Sequence, residues 1–404
     1  MVSSQNGSLE GLRDRNRQRV VHALSQRGLA SRADLARFTG LSRTTVSSLV
    51  AELMASALVV ERTDADAGAP GPGGGRPPVL LALNRSAGAA IGLDFGHSHI
   101  RVAVADLSHT VLAEEEVEFD VDGEGAAALD RACEIVDNAI EAAGISRGAV
   151  VGVGVAMPGP IRLKSRILGS PSILPGWSGM RMGEVLTERL GLEVMLENDA
   201  NLGALAELSF GAAKGVENVV YIRAYSGIGA GLILGGKLFR GADGTAGELG
   251  HVTIDETGPV CRCGNRGCLE TLAAEGPILE LLGRTHGPDL TMHRVVELAE
   301  SGDQACRRVI ADAGHHIGVA IANVCNLFNP NMVVVGGTLS GAGDLLLGPM
   351  RDAVDRYAIT SAADDVEIVT GVLGERAEVL GALALVFAEG DGALPLRVAV
   401  GGPV

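Results

Sequence analysis

Between Gly247 and Glu270 the chain reads GELGHVTIDETGPVCRCGNRGCLE. Three thiols, Cys261, Cys263 and Cys268, fall within eight residues, and His251 lies ten residues upstream of the first. One imidazole and three thiolates form a Cys₃His set, the composition of a closed tetrahedral zinc site. Gly264 and Gly267 let the chain fold back around the ion. No coordination position stays open, so the zinc is expected to be structural. Six cysteines in 404 residues do not make a disulfide framework, and the spacing points to metal binding in a reducing compartment.

Charge is unevenly spread. Residues 1–85 hold 11 Arg, no Lys and 7 acids, a net charge of +4, whereas the whole chain carries −16. A basic head on an acidic body suggests a nucleic-acid module joined to a second unit. Length allows two to four domains. Aromatics amount to only 3%, which argues against a stacking platform for single strands.

Three helices are predicted in the head. The first spans about 12–27. The second spans about 32–39, with Ser31 and Asp34 in capping-box spacing. After Gly40, the third is capped by Ser42 and carries Val46, Leu49, Val50 and Leu53 at i, i+3, i+4, i+7. Helix, glycine turn, helix is the helix-turn-helix order, whose second helix enters the major groove. With the apolar stripe inward, Ser42, Arg43, Thr44, Thr45, Ser47 and Ser48 are the DNA-facing candidates, Arg for guanine edges and the hydroxyls for phosphates or bases. Strands near 58–60 and 79–83 flank a Gly/Pro-rich stretch, 63–78. That is the form of a wing, and its Arg76 is placed to reach a minor groove; a plain linker is the alternative for the same segment.

From Ala89 the pattern is strand-rich, then alternates: strands at 89–95, 100–106 and 111–119, an amphipathic helix near 126–143, and an apolar strand at 150–156. This predicts an α/β body. A buried strand at 194–196 runs into Glu197-Asn198-Asp199-Ala200-Asn201, polar residues where open α/β sheets place ligands. Glycine-rich turns near 96, 227 and 336 suit backbone approach to phosphate or nucleotide. The stretch 313–343 lacks Asp, Glu, Lys and Arg but is too polar and broken to span a membrane. The N-terminus shows no signal-peptide pattern, and the protein is expected to be cytoplasmic.

Taken together, Gly247-Glu248-Leu249-Gly250-His251, the Cys-x-Cys-Gly-x-x-Gly-Cys-x-Glu run, Pro158-Gly159-Pro160, Glu197 to Asn201, and Asn329-Pro330 before Val335-Gly336-Gly337 resemble the ROK family (repressors, open reading frames, kinases). The head resembles the winged helix of the ROK repressors. The resemblance implies a two-lobed actin/hexokinase-like ATPase fold with ribonuclease H-like lobes, preceded by a winged helix-turn-helix domain at 1–85. Lobe 1 would run from 86 to 198 with a C-terminal helix at about 375–390, and lobe 2, with the zinc motif, from 199 to 374. It implies sugar contacts from Asn198, Asp199, Glu248, His251 and Glu270, Asp199 matching the kinase base. His251 would serve zinc through one nitrogen and sugar through the other. The kinases' phosphate loop is Asp-x-Gly-Gly-Thr, whereas this chain has Asp94-Phe95-Gly96-His97-Ser98. His97 puts a ring where glycine would admit phosphate, which argues against phosphoryl transfer. The reading is a sugar-responsive transcriptional regulator, a repressor of carbohydrate uptake or catabolism genes. It would bind double-stranded operator DNA as a homodimer or homotetramer, because one helix-turn-helix reads too few bases alone. A sugar kinase with a fused DNA-binding head and a sugar-responsive protein that docks a protein partner are the alternatives.

Overall fold

The computed structural model describes residues 9–62, 79–162, 167–168, 174–177 and 179–389. Its head contains α1 (Leu9–Arg27), a short β1 (Ala30–Ser31), α2 (Arg32–Thr39), α3 (Arg43–Ala55), β2 (Val59–Arg62) and β3 (Leu80–Leu83). The capping box forms in both directions: Ser31 accepts from the Asp34 amide, and Asp34 accepts from the Ser31 amide. Such a cap stabilises a short helix by about 1 kcal/mol. Gly40 ends α2 at φ 66°, a left-handed conformation that a side chain would strain. Ser42 then caps α3 through the Thr45 amide. Strands β2 and β3 pair antiparallel, and β1 joins the other edge of β3. The wing tip, 63–78, including Arg76, lies outside the described residues.

The body opens with β4 (Ala89–Phe95), β5 (His99–Asp106) and β6 (Val111–Glu118), an antiparallel meander. Helix α4 (Gly125–Ala142) follows, and then β7 (Val150–Met157), which lies parallel to β4. A small ribbon joins β8 (Ile161–Arg162) to β9 (Ile167–Leu168) before α5 (Met182–Leu190) and β10 (Val194–Asn198). The resulting sheet has the order β10-β7-β4-β5-β6. Strand β4 is buried along its whole length, the apolar pattern of a strand covered on both faces.

A second five-stranded sheet repeats this plan with α6 (Asp199–Ser209) at its entry. It is built from β11 (Val219–Ala224), β12 (Ile228–Leu234), β13 (Lys237–Leu238), β14 (Met332–Gly336) and β15 (Glu367–Thr370), in the order β13-β12-β11-β14-β15. Short α7 (Glu270–Ala273), α8 (Glu275–His286), α9 (Met292–Glu300) and the long α10 (Gln304–Phe328) intervene between β13 and β14. Helices α11 (Asp344–Tyr357) and α12 (Thr360–Ala363) lead to β15. Among the described residues, no helix is long and apolar enough to cross a membrane.

The last helix, α13 (Ala377–Glu389), returns to the first sheet and packs on β4, β7 and α6. Gly92 and Gly154 make this approach possible, because a Cβ there would lie 2.3 Å from the Val379 carbonyl oxygen and 2.0 Å from that of Ala382. The far end of α13 meets the head. Leu107 belongs to the head's apolar cluster with Leu24, Leu35, Leu53 and Leu83, and Phe387 packs against that cluster.

Candidate functional site

Strand β10 delivers Asn198 beside Met157 of β7, and α6 begins at the next residue. Asn198 is the cap: its Oδ1 accepts from the Asn201 amide (3.1 Å), and its Nδ2 donates to the Gly159 carbonyl and to Asp199 Oδ1, both 3.0 Å. Asp199 Oδ1 also accepts from the Ala200 amide at 2.8 Å. Glu197 is buried beneath them and accepts from the Asn198 amide, Asn201 Nδ2 and Arg240. The pair Asn198 and Asp199 is thus held rigidly at the mouth of a cleft.

Across the cleft stand Glu248, at the turn before Leu249–His251, and Glu270, the first residue of α7. The cleft is lined by His97, Pro158, Gly159, Asn198, Asp199, Arg223, Glu248, His251, Arg262 and Glu270, together with residues 227–230. Burial, with Asp199 and Glu270 nearby, pushes the Glu248 carboxyl up to about 7. All five positions expected to contact sugar therefore converge on one cleft.

Arg223, Arg262 and Glu378 were not among the expected site residues. Arg223 comes from β11, and its guanidinium bridges two carboxylates: Nη1 is 3.3 Å from Asp199 Oδ2, and Nε donates to Glu378 Oε1 of α13 at 2.8 Å. Arg262 forms a two-pronged bond to Glu270, at 2.9 and 3.1 Å. Their signal was present in sequence: Arg223 is the one charge in the strand VVYIRA, and Glu378 the one acid in AEVLGALALVF. Of the three glycine-rich turns, the one near 96 lines the cleft through His97 and the one at Gly227 lines it directly. Gly96 and Gly336 make room for the rings of His99 and Tyr221.

His251, Cys261, Cys263 and Cys268 come together, their ligand atoms all within 4.8 Å of one another. Cys263 Sγ lies 3.7 Å from Cys268 Sγ, and Cys261 Sγ lies 3.6 Å from His251 Nδ1. Tetrahedral zinc at about 2.3 Å from sulfur separates its ligand atoms by about 3.5–3.8 Å, so the donor set and its spacing fit the ion. With Nδ1 turned to the thiols, the same His251 ring lines the cleft.

In the head, Val46, Leu49, Val50 and Leu53 of α3 are buried, while Ser42, Arg43, Thr44, Ser47 and Ser48 are exposed and Thr45 is half-buried. Ser42 and Thr45 hydroxyls bond each other at 2.8 Å. Arg43 leads the exposed face at the N-terminal end of the helix.

The chain is similar over most of its length to known proteins. The xylose repressor of Caldicellulosiruptor bescii is 30% identical across 94% of this chain and 96% of that protein. A solved ROK family transcriptional regulator, a homologue of the Escherichia coli Mlc protein, superposes with a TM-score of 0.79 at 27% identity, covering 95% of this chain and 98% of the other. A ROK family glucokinase from Streptomyces griseus, solved with glucose and AMPPNP, superposes with a TM-score of 0.66 at 29% identity, covering 74% of this chain and 99% of the kinase. A MarR family model matches residues 14–68. The ROK family model matches residues 90–389; the chain belongs to the ROK family and combines its two-lobed α/β fold with an N-terminal winged helix.

Proposed function

We propose that this protein is a sugar-responsive DNA-binding transcriptional regulator, a repressor of carbohydrate uptake or catabolism genes. The observation that carries the reading is the joining, in one chain, of a helix-turn-helix with an exposed Arg43 face to a cleft lined by carboxylates and an amide. Carboxylates and amides suit polyols, whose hydroxyls donate and accept together. Asn198, Asp199, Glu248, His251 and Glu270 hold the sugar; Ser42, Arg43, Thr44, Thr45, Ser47 and Ser48 face the major groove, with Arg76 of the wing reaching the minor groove.

Asp199 is a ligand anchor here rather than a base. Its two oxygens are already engaged, Oδ2 lying 3.3 Å from Arg223 Nη1 and Oδ1 accepting from the Ala200 amide and Asn198 Nδ2, which suits a fixed acceptor for a ligand hydroxyl. Zinc, held by His251, Cys261, Cys263 and Cys268, supplies a structural cross-link that fixes the His251 ring toward the cleft. The functional units are a head at 1–85, lobe 1 at 86–198 with the C-terminal helix, and lobe 2 at 199–374, assembled as a homodimer or homotetramer on a palindromic operator.

Titrating sugars into the protein–operator complex tests the reading: release by one sugar supports it, and failure to bind any DNA overturns it. The kinase alternative keeps one argument, the retained Asp199 shared with the glucokinase pattern. An ATP-dependent phosphorylation assay over the same sugars decides that point, with no turnover expected.

A further inference from the structure

We propose that the cleft selects an unphosphorylated sugar and that His97 is the residue that sets this choice, by offering Nε2 to a ligand hydroxyl from a braced loop in the cleft wall. The inference rests on the sugar-site reading and narrows its ligand class.

The imidazole is oriented by its own neighbours. His97 lines the cleft, and its Nδ1 lies 2.7 Å from Asp122 Oδ1. With Nδ1 bonded to the Asp122 carboxylate, Nε2 is the ring nitrogen left for a ligand hydroxyl, which can donate or accept. The backbone is braced as well. The Val121 amide donates to the His97 carbonyl (3.1 Å) and the Phe119 amide to that of Ser98 (3.0 Å). Trp177, fully buried, donates its indole N–H to the Val121 carbonyl at 2.7 Å and packs edge-on against Phe95. Swinging the ring aside to admit a bulky anion would break the Asp122 bond inside a strapped loop.

Charge reinforces the choice. Two arginines line the cleft, and each is already engaged: Arg223 between Asp199 and Glu378, Arg262 bidentate on Glu270. Three carboxylates, Asp199, Glu248 and Glu270, line the same space. A phosphate dianion entering here would have to strip an arginine from its partner or lie beside these carboxylates, and both are costly. Sugar hydroxyls meet no such penalty, since they donate to the carboxylates and accept from the arginines without displacing either.

Isothermal titration of the full chain with aldopentoses, aldohexoses and N-acetylhexosamines, each paired with its phosphate monoester, tests this. The expected result is a neutral sugar that binds at least about tenfold more tightly than its phosphate. His97→Gly should weaken that sugar by about three- to tenfold and bring the two affinities together, while His97→Gln, which keeps an acceptor and a smaller change of volume, should retain part of the preference. A thermal melt of each variant identifies any that fails to fold, in which case His97→Gln carries the test. A phosphate ester that binds as tightly as its parent sugar, or a preference unchanged in a folded His97 variant, overturns the inference and leaves the sugar site standing. Failure of every member of both series to bind overturns the sugar site itself and this inference with it.

Discussion

Arg223 Nη1 lies 3.3 Å from Asp199 Oδ2, both side chains buried, and Glu378 closes the other side of the same guanidinium at 2.8 Å. One strand, one helix start and the last helix of the chain are tied at this point. Replacing Arg223 with Met should leave two buried carboxylates without their cation, a change that typically costs about 3–5 kcal/mol. Urea unfolding followed by circular dichroism measures it. A loss below about 1 kcal/mol would show that the bridge contributes little.

Glu378 gives this network a pH dependence. Burial, with Asp94 and Asp199 nearby, pushes its carboxyl up to about 7, against the pull of Arg223 toward the charged form. The folded state therefore holds a proton that the unfolded chain releases near its ordinary value of 4.5. Stability from this group is full below that value and falls as pH rises toward 7, by on the order of 3 kcal/mol. Glu378→Gln keeps an oxygen for Arg223 and removes the titration. Relative to that variant, the wild type should lose stability between pH 5 and 7.5; parallel curves would refute the assignment.

These two residues also mark where sequence reasoning stopped. Periodicity located α3, whose apolar positions face one core, and the apolar run 89–95 located β4, which is buried along its length. The spacing of His251, Cys261, Cys263 and Cys268 located a local cluster, since its parts lie close in sequence. Arg223 and Glu378 are 155 positions apart, and each reads alone as an odd charge in an apolar element. Only the packing of α13 across β4, β7 and α6 brings them together. Likewise the Asp122 partner of His97 lies beyond β6, in a loop whose polar residues look solvated from sequence alone.

The cysteine cluster predicts one zinc per chain in protein purified without added metal. Binding energy of a structural zinc is folding energy, so Cys263→Ser should lower the unfolding temperature, and a chelator should do the same to the wild type. Elemental analysis together with thermal melts provides the check. Folded protein with far less than one equivalent of zinc would rule the metal out.

Arg43 stands exposed at the start of α3, with Val46, Leu49 and Val50 anchoring the helix behind it. Arg43→Ala should cost about 1–3 kcal/mol of preference for operator over random DNA, with stability unchanged. Competition binding at two salt concentrations separates this from a phosphate contact, which would weaken all sequences alike and reduce the salt slope. A footprint identical to that of the wild type would place base reading elsewhere.

The remaining prediction concerns how the cleft reaches the head. Helix α13 begins beside Glu378, bound to Arg223, and ends with Phe387 packed against the head's apolar cluster and stacked on His109 at 4.3 Å between ring centres. A ligand moves an equilibrium only through unequal affinity for its two states, and coupling between sites typically amounts to about 1–3 kcal/mol. Phe387→Ala removes the ring at the head without touching the cleft. Sugar affinity of the DNA-free protein should therefore stay within about twofold, while the ratio of operator affinities with and without sugar should shrink by about five- to tenfold. Glu248→Ala provides the complementary case: sugar binding is lost, and sugar-free operator binding survives. Reciprocity supplies an internal control, because operator must then change sugar affinity less in Phe387→Ala than in the wild type. Position along a helix does not by itself establish coupling, so both arms of the cycle are required. If Phe387→Ala protein is folded and keeps the full sugar effect on operator affinity, the signal does not pass through α13.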